Sequence, residues 1–239
     1  MCFHYSLTKE RAEIEIQLGV HWDEDWQPVN YANGFTFLKM PVITQKKPDT
    51  VQMFNWGLVP HWVKTKSDAD KLRAQTLNAR SETIFEKPSF RSYIPNNRCL
   101  VIADGFFEWM DFKKKKYPHF IYLKNNPLFC FAGIYSSWID KETGEILNTF
   151  SIITTDANPI MAKIHNTKER MPVIIPAHLY KKWLTKDLPK EEIISFFSPY
   201  PETEMQNHTI SKLITSRTDN PNVPEVSAPF VYPELALLK

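Results

Sequence analysis

The second residue of this 239-residue chain is a cysteine, and its position gives it unusual chemistry. A cysteine after the initiator Met1 is small enough to permit removal of that methionine, which leaves a free α-amine and a thiol on one residue. The amine condenses with an aldehyde to give an imine, and the thiol can then add to close a five-membered thiazolidine ring. An α-amine titrates at roughly pH 8, far below lysine, so more of it is neutral and nucleophilic at neutral pH. Cys2 is therefore a candidate nucleophile.

The residues after Cys2 indicate that the N-terminus is held in place. Phe3, Tyr5 and Leu7 alternate with polar residues, which is the two-residue period of a strand with one buried face. Chain ends are usually disordered unless such a strand fixes them in a sheet. We therefore expect Cys2 to have a fixed position.

The other two cysteines have a simpler explanation. Cys99 and Cys130 lie in apolar runs and are expected to be small core residues. Three cysteines without paired spacing indicate neither a disulfide framework nor a zinc site. We expect no metal ion and no cofactor.

The elements that must position Cys2 are mainly strands. Short β-branched or aromatic runs bounded by turn residues predict five of them, at residues 52–59, 99–103, 119–123, 128–135 and 149–155. Four lysines at residues 113–116 lie between two of these strands, as is typical of a charged hairpin tip. We do not assign the lysines to a binding site.

Helices are fewer and lie between or after the strands. Asn158 before Pro159 is a helix start, and Ser81 is a candidate cap. Helices are predicted at residues 82–86, 160–164, 177–184 and 190–197. The polar stretch at residues 203–226 is expected to be an ordered loop. The predicted class is α+β, with a mainly antiparallel, barrel-like β core and peripheral helices, in one domain over residues 1–239.

Composition and charge exclude little. The formal net charge of +2 neither demands nor excludes a nucleic-acid partner, because phosphate binding depends on a local basic patch. No apolar run approaches the length of a membrane span, and the first six residues lack the regions of a signal peptide. We expect a cytoplasmic monomer that has no membrane partner.

Four further segments carry a family resemblance. They are WGLVPHW at residues 56–62, NARSET at 78–83, RCLVIADGFFEW at 98–109, and His165 followed by RMPVII at 170–175. Together with Cys2 they resemble the SOS response-associated peptidase (SRAP) family, in family order, from residue 1 to about residue 226. The resemblance implies covalent crosslinking to abasic sites in single-stranded DNA. It leaves abasic-site lyase and self-processing peptidase activities open.

The resemblance assigns catalytic roles to Cys2, Asn78, Glu108 and His165. Glu108, flanked by aromatic residues at a predicted strand end, would have its pKa raised by desolvation and could open the closed sugar as acid and base. His165 titrates near neutral pH when unperturbed, so it could move the proton that converts carbinolamine to imine, or hold a sugar hydroxyl. Asn78 could hold the α-amine by a neutral hydrogen bond.

Contacts to DNA are expected from basic and apolar side chains. The arginines offer planar forks suited to phosphate, and the apolar residues could stack on bases. The expected DNA contacts are Arg80, Arg170, Trp62, Pro41, Lys64 and Arg73. A surface ion pair with Glu82 or Glu86 is the alternative for Arg80.

The chain departs from the family pattern at two places. Phe3 and His4 follow Cys2 where the family usually has Gly-Arg, so a flexible glycine and a basic residue are absent beside the cysteine. The usual His-Asp-Arg-Met-Pro is replaced by the longer segment at residues 165–172.

Two other functions use the same sequence features. In an N-terminal-nucleophile hydrolase or autopeptidase, the Cys2 thiol would attack an amide and the α-amine would act as its base. In a non-catalytic single-strand binder, the basic and aromatic surface would suffice and Cys2 would be dispensable. The requirement for the thiol and for DNA distinguishes the three.

Overall fold

Strands supply most of the regular structure, as the β-branched and aromatic runs of the sequence predict. The structure, a computed structural model, describes residues 2–22, 24–216 and 218–238. The strands within those residues are β1 His4–Leu7, β2 Val29–Asn33, β3 Lys39–Thr44, β4 Lys47–Trp56, β5 Asn78–Arg80, β6 Arg98–Ala103, β7 Gly105–Phe112, β8 Lys115–Leu123, β9 Phe129–Ile139, β10 Ile146–Asp156, β11 Arg170–Pro172, β12 Ile174–Ile175 and β13 Met205–Thr209. The α-helices in the same part of the chain are α1 Arg11–Leu18, α2 Lys66–Arg73, α3 Pro159–Ile164, α4 Tyr180–Trp183 and α5 Lys190–Ser195.

Five strands close into a barrel, in the order β10, β4, β3, β6, β9 and back to β10. Neighbours pair antiparallel, except that β10 runs parallel to β4. Both β5 and β11 pair with the end of β10, and β12 pairs with β9. A closed barrel has no free edge between its strands, so it gives rigid support to residues at the strand ends.

A second, antiparallel sheet has the order β13, β8, β7, β1, β2. Tyr5 of β1 pairs with Phe106 of β7 on one side and with Ala32 of β2 on the other. The Tyr5 ring packs 5.0 Å from the Trp56 ring and 5.8 Å from the Phe131 ring of the barrel. The strand predicted after Cys2 is therefore present, and it is buried in the main core between the sheet and the barrel.

The predicted class, α+β with a barrel-like antiparallel core and peripheral helices, is confirmed. The five predicted strands correspond to β4, β6, β8, β9 and β10, although several begin or end a few residues away from the predicted bounds. Asn158 caps α3 by accepting a hydrogen bond from the Met161 backbone N–H at 2.9 Å. Lys113 and Lys114 form the predicted hairpin tip, with φ of 51° and 63°.

Three predicted elements differ from the structure. The helix predicted at residues 177–184 is a 3-10 helix at Ala177–Leu179 followed by α4. Residues 82–86 form no α-helix: a 3-10 turn at Ser81–Thr83 continues as turns toward Pro88, and the residue before a proline disfavours helix. The stretch at residues 203–226 is not all loop, because it contains β13, which pairs with β8. Over the described residues, no helix has the length and apolarity needed to cross a membrane.

Candidate active site

The backbone around Cys2 is fixed by hydrogen bonds from two directions. Asn78 Nδ2 donates to the Cys2 carbonyl oxygen at 2.9 Å, and the Gly34 N–H donates to the Phe3 carbonyl oxygen at 2.9 Å. The Cys2 side chain is fully buried at 0% exposure, and its Sγ donates weakly to the His4 carbonyl oxygen at 3.7 Å. Burial raises the pKa of the Cys2 thiol well above its ordinary value, and the charge of Glu108 raises it further. The thiol is therefore protonated at neutral pH.

A cavity of about 310 Å³ lies beside the N-terminal strand. Its walls combine aromatic, acidic and basic side chains from β1, β7, β8 and the segment after α3. The lining residues are Phe3, His4, Glu108, Trp109, Lys116, His165, Thr167 and Lys168. Cys2 precedes Phe3 of this wall, so Cys2, the predicted nucleophile, and the titratable groups of the cavity occupy one region.

Glu108 is the buried acid of the site. It lies within β7, not at the strand end as predicted, and only 4% of it is exposed. Burial raises its pKa from 4.5 to about 7, while the nearby charge of Lys168 acts in the opposite direction. At neutral pH both protonation states are populated, so this carboxyl group can both donate and accept a proton.

His165 ends α3 and faces Glu108. Its Nδ1–H donates to the Arg170 carbonyl oxygen at 2.9 Å, so Nε2 is the nitrogen that lies 3.9 Å from Glu108 Oε2. Burial lowers the pKa of His165 to about 4, and the charges of Lys168 and Lys116 contribute. Of the two roles expected for His165, carrying a proton and holding a sugar hydroxyl, this lowered pKa favours the second. The neutral ring can accept a proton or a hydroxyl hydrogen bond at Nε2.

Asn78 and Arg80 lie on β5, which pairs parallel with β10 of the barrel. Asn78 is buried, and its Oδ1 accepts no hydrogen bond from any described residue. The amide therefore holds Cys2 by its nitrogen and retains one acceptor. Arg80 is exposed at the end of the strand, and the partner of Glu82 is Arg170 instead.

The predicted phosphate contact by Arg170 is wrong. Arg170 is 5% exposed, and its guanidinium makes ion pairs with Glu82 and, at 2.8 Å, with Asp156. It also donates to the Thr154 carbonyl oxygen at 2.8 Å. Because these partners engage both terminal nitrogens of the guanidinium inside the protein, Arg170 clamps the turn after β5 to β10.

Two more predicted DNA contacts are buried. Arg73 is 6% exposed at the end of α2, where its guanidinium packs 4.2 Å from the Phe37 ring centroid and donates to the Trp56 carbonyl oxygen. Pro41 is buried within β3. Neither side chain is accessible to a nucleic acid, so both predictions are wrong.

Trp62 and Lys64 remain candidates for DNA contact. The Trp62 side chain is 48% exposed, and both residues line one shallow cavity beside α2. An exposed tryptophan beside a lysine suits base stacking next to a phosphate, and this stays a prediction.

Sequence reasoning missed the basic side chains of the main cavity. Lys116 is the last residue of the lysine run, and it lies on β8 instead of at the hairpin tip. Lys168 lies in the segment that is longer than the family pattern. The extra length was the available signal for Lys168. In the described part of the chain, no three His, Cys, Asp or Glu side chains converge on a possible metal position.

The fold and the site together define a class of protein: a small β-barrel protein with a cysteine at its second position, fixed beside a buried Glu-His pair. The sequence model of the family described as SOS response associated peptidase (SRAP) matches residues 1–217. The chain therefore belongs to the SRAP family.

Named relatives and a solved structure are similar over most of the chain. Abasic site processing protein YoqW of Bacillus subtilis is 37% identical over 226 residues, which cover 92% of this chain and 96% of YoqW. Abasic site processing protein HMCES of Gallus gallus is 34% identical over 188 residues, 70% of this chain and 54% of HMCES. A crystal structure of a Bacteroides thetaiotaomicron protein superimposes with a TM-score of 0.91 at 41% identity, covering 96% of this chain and 100% of the other.

Proposed function

We propose that this protein captures abasic sites in single-stranded DNA by forming a thiazolidine with Cys2. The observation that carries the proposal is the position of Cys2. Its carbonyl oxygen accepts a hydrogen bond from Asn78, and the nearby charge of Glu108 raises the pKa of its thiol. The names of the relatives in Bacillus subtilis and Gallus gallus, abasic site processing proteins, give independent support.

The reaction needs only the groups of Cys2 and one acid-base residue. After Met1 is removed, the α-amine adds to the aldehyde carbon of the opened sugar. Glu108 then donates a proton to the departing hydroxyl, so the carbinolamine loses water and becomes an imine. The thiol adds to the imine carbon, and its proton moves to the nitrogen. One C–N and one C–S bond form and one water leaves, so no oxidant or reductant is required.

The surrounding side chains suit the remaining steps. An abasic deoxyribose is mostly a closed hemiacetal, and a carboxyl group with a pKa of about 7 can protonate the ring oxygen and deprotonate the hydroxyl. His165 Nε2 can accept a hydrogen bond from the sugar. Asn78 Oδ1 can accept a hydrogen bond from the α-amine of Cys2. This bond uses an N–H of the amine and leaves the nitrogen lone pair available to attack the aldehyde.

The burial of Glu108 favours single-stranded DNA as the substrate. Glu108 is nearly inaccessible, so the sugar must leave the base stack to reach it. In a duplex that movement costs a few kcal/mol of stacking and pairing energy, whereas a single strand is already free.

The hydrolase alternative fits the site less well. It requires the thiol to be the first nucleophile, and the thiolate is the reactive form. Burial and the Glu108 charge raise the pKa of the Cys2 thiol, which opposes thiolate formation. In the proposed reaction the amine attacks first, so the protonated thiol is no obstacle.

Cys2→Ala tests the proposal, because it removes the thiol and keeps the α-amine. With an oligonucleotide that carries one abasic site, the parent protein should give a heat-stable adduct on a denaturing gel and little strand breakage. Cys2→Ala should form only an imine, which borohydride traps. Without borohydride, the acidic proton next to the imine carbon permits β-elimination, and the strand should be nicked.

The same gels test the requirement for a free α-amine. A bulky residue inserted between Met1 and Cys2 should block trimming and abolish the adduct, with mass spectrometry confirming that the extension remains. A stable adduct from Cys2→Ala without reductant, or full crosslinking by the extended chain, would contradict the mechanism.

A further inference from the structure

We infer that Lys116 and Lys168 form a subsite for a backbone phosphate next to the captured sugar. The inference rests on the proposed function and identifies how the site holds its substrate before the covalent step. Both lysines line the cavity that contains Glu108 and His165.

Lys116 is held at the cavity by a weak partner. Its Nζ lies 3.1 Å from Asp111 Oδ2, and the two side chains are 53% and 35% exposed. An ion pair this exposed contributes little free energy. The Lys116 ammonium can therefore exchange Asp111 for a phosphate oxygen, or bind both, at small cost.

The chain segment that carries Lys168 has a fixed position. Asn166 Oδ1 accepts a hydrogen bond from the Asp111 N–H at 3.0 Å, and Asn166 Nδ2 donates to the Asp111 carbonyl oxygen at 2.8 Å. The Lys168 N–H donates to the His165 carbonyl oxygen at 3.2 Å. The backbone of Asp111 therefore anchors the Lys168 segment, while its side chain positions Lys116.

The charges of the cavity favour an anion on this side. Of the described residues that line it, Phe3, Trp109 and Thr167 are uncharged. His4 is neutral at pH 7, because burial lowers its pKa to about 4, and the same holds for His165. The acid among these lining residues is Glu108, which is partly ionised at neutral pH because its pKa is about 7. Two lysine ammonium charges against one partly ionised carboxyl group leave the wall with a net positive charge.

The geometry of the substrate requires an anion in this region. A sugar that reaches Glu108 carries a phosphodiester at each of its two ends, and neither can follow it into the buried part of the site. A lysine ammonium offers three donors and a compact positive charge, which suit a phosphate oxygen.

The test uses single strands that carry a tetrahydrofuran abasic analogue, which lacks an aldehyde and binds without crosslinking. Lys116→Gln and Lys168→Gln should each weaken binding at low salt by about tenfold, the usual value for one charge-assisted hydrogen bond. Each should also reduce the slope of log K against log salt by roughly 0.7. Lys114→Gln, at the tip of the same hairpin and outside the cavity lining, is the matched control and should change neither quantity.

A neutral methylphosphonate at one linkage identifies the phosphate. Placed at the linkage that the lysines contact, it should weaken parent binding by a similar factor, and Lys168→Gln should then cause little further loss. Lys168→Arg should restore most of the affinity and the slope.

Failure of this inference is distinguishable from failure of the proposed function. If Lys116→Gln and Lys168→Gln bind the analogue as Lys114→Gln does, the subsite does not exist, whatever the crosslinking result. If the lysine variants lose affinity as expected but the parent forms no adduct with an authentic abasic site, the subsite holds and the covalent chemistry is wrong.

Discussion

Glu108 is buried on β7, and this burial determines both its reactivity and its effect on stability. Burial raises its pKa to about 7, so at neutral pH the carboxyl group can both donate and accept a proton, as the proposed reaction requires. The same shift means that ionising Glu108 costs more free energy in the folded protein than in the unfolded chain. A carboxyl group whose pKa is raised on folding stabilises the protein at low pH and loses that contribution as the pH rises through the folded pKa.

Glu108→Gln is expected to increase stability above neutral pH while it decreases activity. The neutral glutamine mimics the protonated acid, so the two proteins should be similar in stability at pH 4. Their difference should grow between pH 4.5 and about 8, because the pKa rises from 4.5 to about 7 on folding. That rise corresponds to about 3 kcal/mol, or about 6 to 12 °C in Tm for a chain of this size.

Thermal unfolding across pH 4 to 9 measures this difference, and Glu142→Gln, at an exposed position, is the control that should show none. The crosslinking rate of Glu108→Gln should fall about 10²-fold, the usual contribution of an acid-base group. Equal Tm at pH 9 with an unchanged rate would remove Glu108 from the reaction.

At the residue scale, the sequence predicted properties that depend on immediate neighbours. The two flanking aromatic residues of Glu108, which are visible in the sequence, indicated a buried environment, and burial is the main cause of its raised pKa. The pKa of His165 depends instead on burial by β7 and on Lys168 and Lys116, which no local pattern reveals. For the same reason, the sequence did not show that Arg170 is enclosed by Glu82 and Asp156.

At the scale of elements, the segment between α3 and β11 links the chemistry to the barrel. It begins at His165, is anchored on Asp111 through Asn166, and ends at Arg170. Arg170 then joins the turn after β5 to β10. Because β5 also carries Asn78, which donates to the Cys2 carbonyl oxygen, and because the Arg170 carbonyl oxygen accepts from His165, the arginine clamp helps to position Asn78 and His165.

Arg170→Ala should therefore destabilise the fold, whereas Arg80→Ala should not. Removal of the buried guanidinium leaves a void and takes a donor from the Thr154 carbonyl oxygen. The carboxylates of Glu82 and Asp156 are 46% and 79% exposed, so water can solvate them in the variant. The expected loss is about 2 kcal/mol, below the 3–5 kcal/mol of a fully buried pair, and it corresponds to about 4 to 8 °C in Tm. Differential scanning calorimetry of both variants measures it. An Arg170→Ala protein with the parent's Tm would contradict the clamp.

Predictions of elements succeeded where the core imposes a pattern. The five predicted strands include four barrel strands, β4, β6, β9 and β10, whose buried residues are mostly apolar or β-branched. By contrast, β13 contains Gln206, Asn207 and His208 at the edge of its sheet, and a polar edge strand has the composition of a loop. The pairing of β13 with β8 is a tertiary effect, so its local sequence could not predict it.

At the scale of the whole molecule, the distribution of charge matters more than its total. The net charge of +2 neither predicts nor excludes DNA binding, because phosphate contacts depend on local basic side chains. Yet Lys116 and Lys168 lie together on the cavity wall, Arg80 is exposed on the strand that carries Asn78, and Lys64 adjoins the exposed Trp62. The fold leaves these cations exposed, and it buries Arg73, Arg98 and Arg170, which contribute charge to the total but none to a ligand.

This distribution predicts a weak but definite salt dependence of DNA binding. Three or four phosphate contacts, from Arg80, Lys116, Lys168 and Lys64, should each release about 0.7 of a counterion from a single strand. The slope of log K against log salt for a tetrahydrofuran-containing oligonucleotide should therefore lie between about −2 and about −3. Fluorescence anisotropy from 50 to 300 mM salt measures it.

The slope tests the arrangement of charges independently of the chemistry, since the analogue forms no covalent bond. If the buried arginines also contacted phosphates, as the sequence alone suggested, Arg73 and Arg170 would raise the count to six and the slope to about −4. A slope near zero would mean that aromatic stacking supplies the affinity and that the exposed lysines do not contact the strand. A value between −2 and −3 that falls stepwise in Lys116→Gln, Lys168→Gln and Arg80→Ala would assign each contact to one side chain.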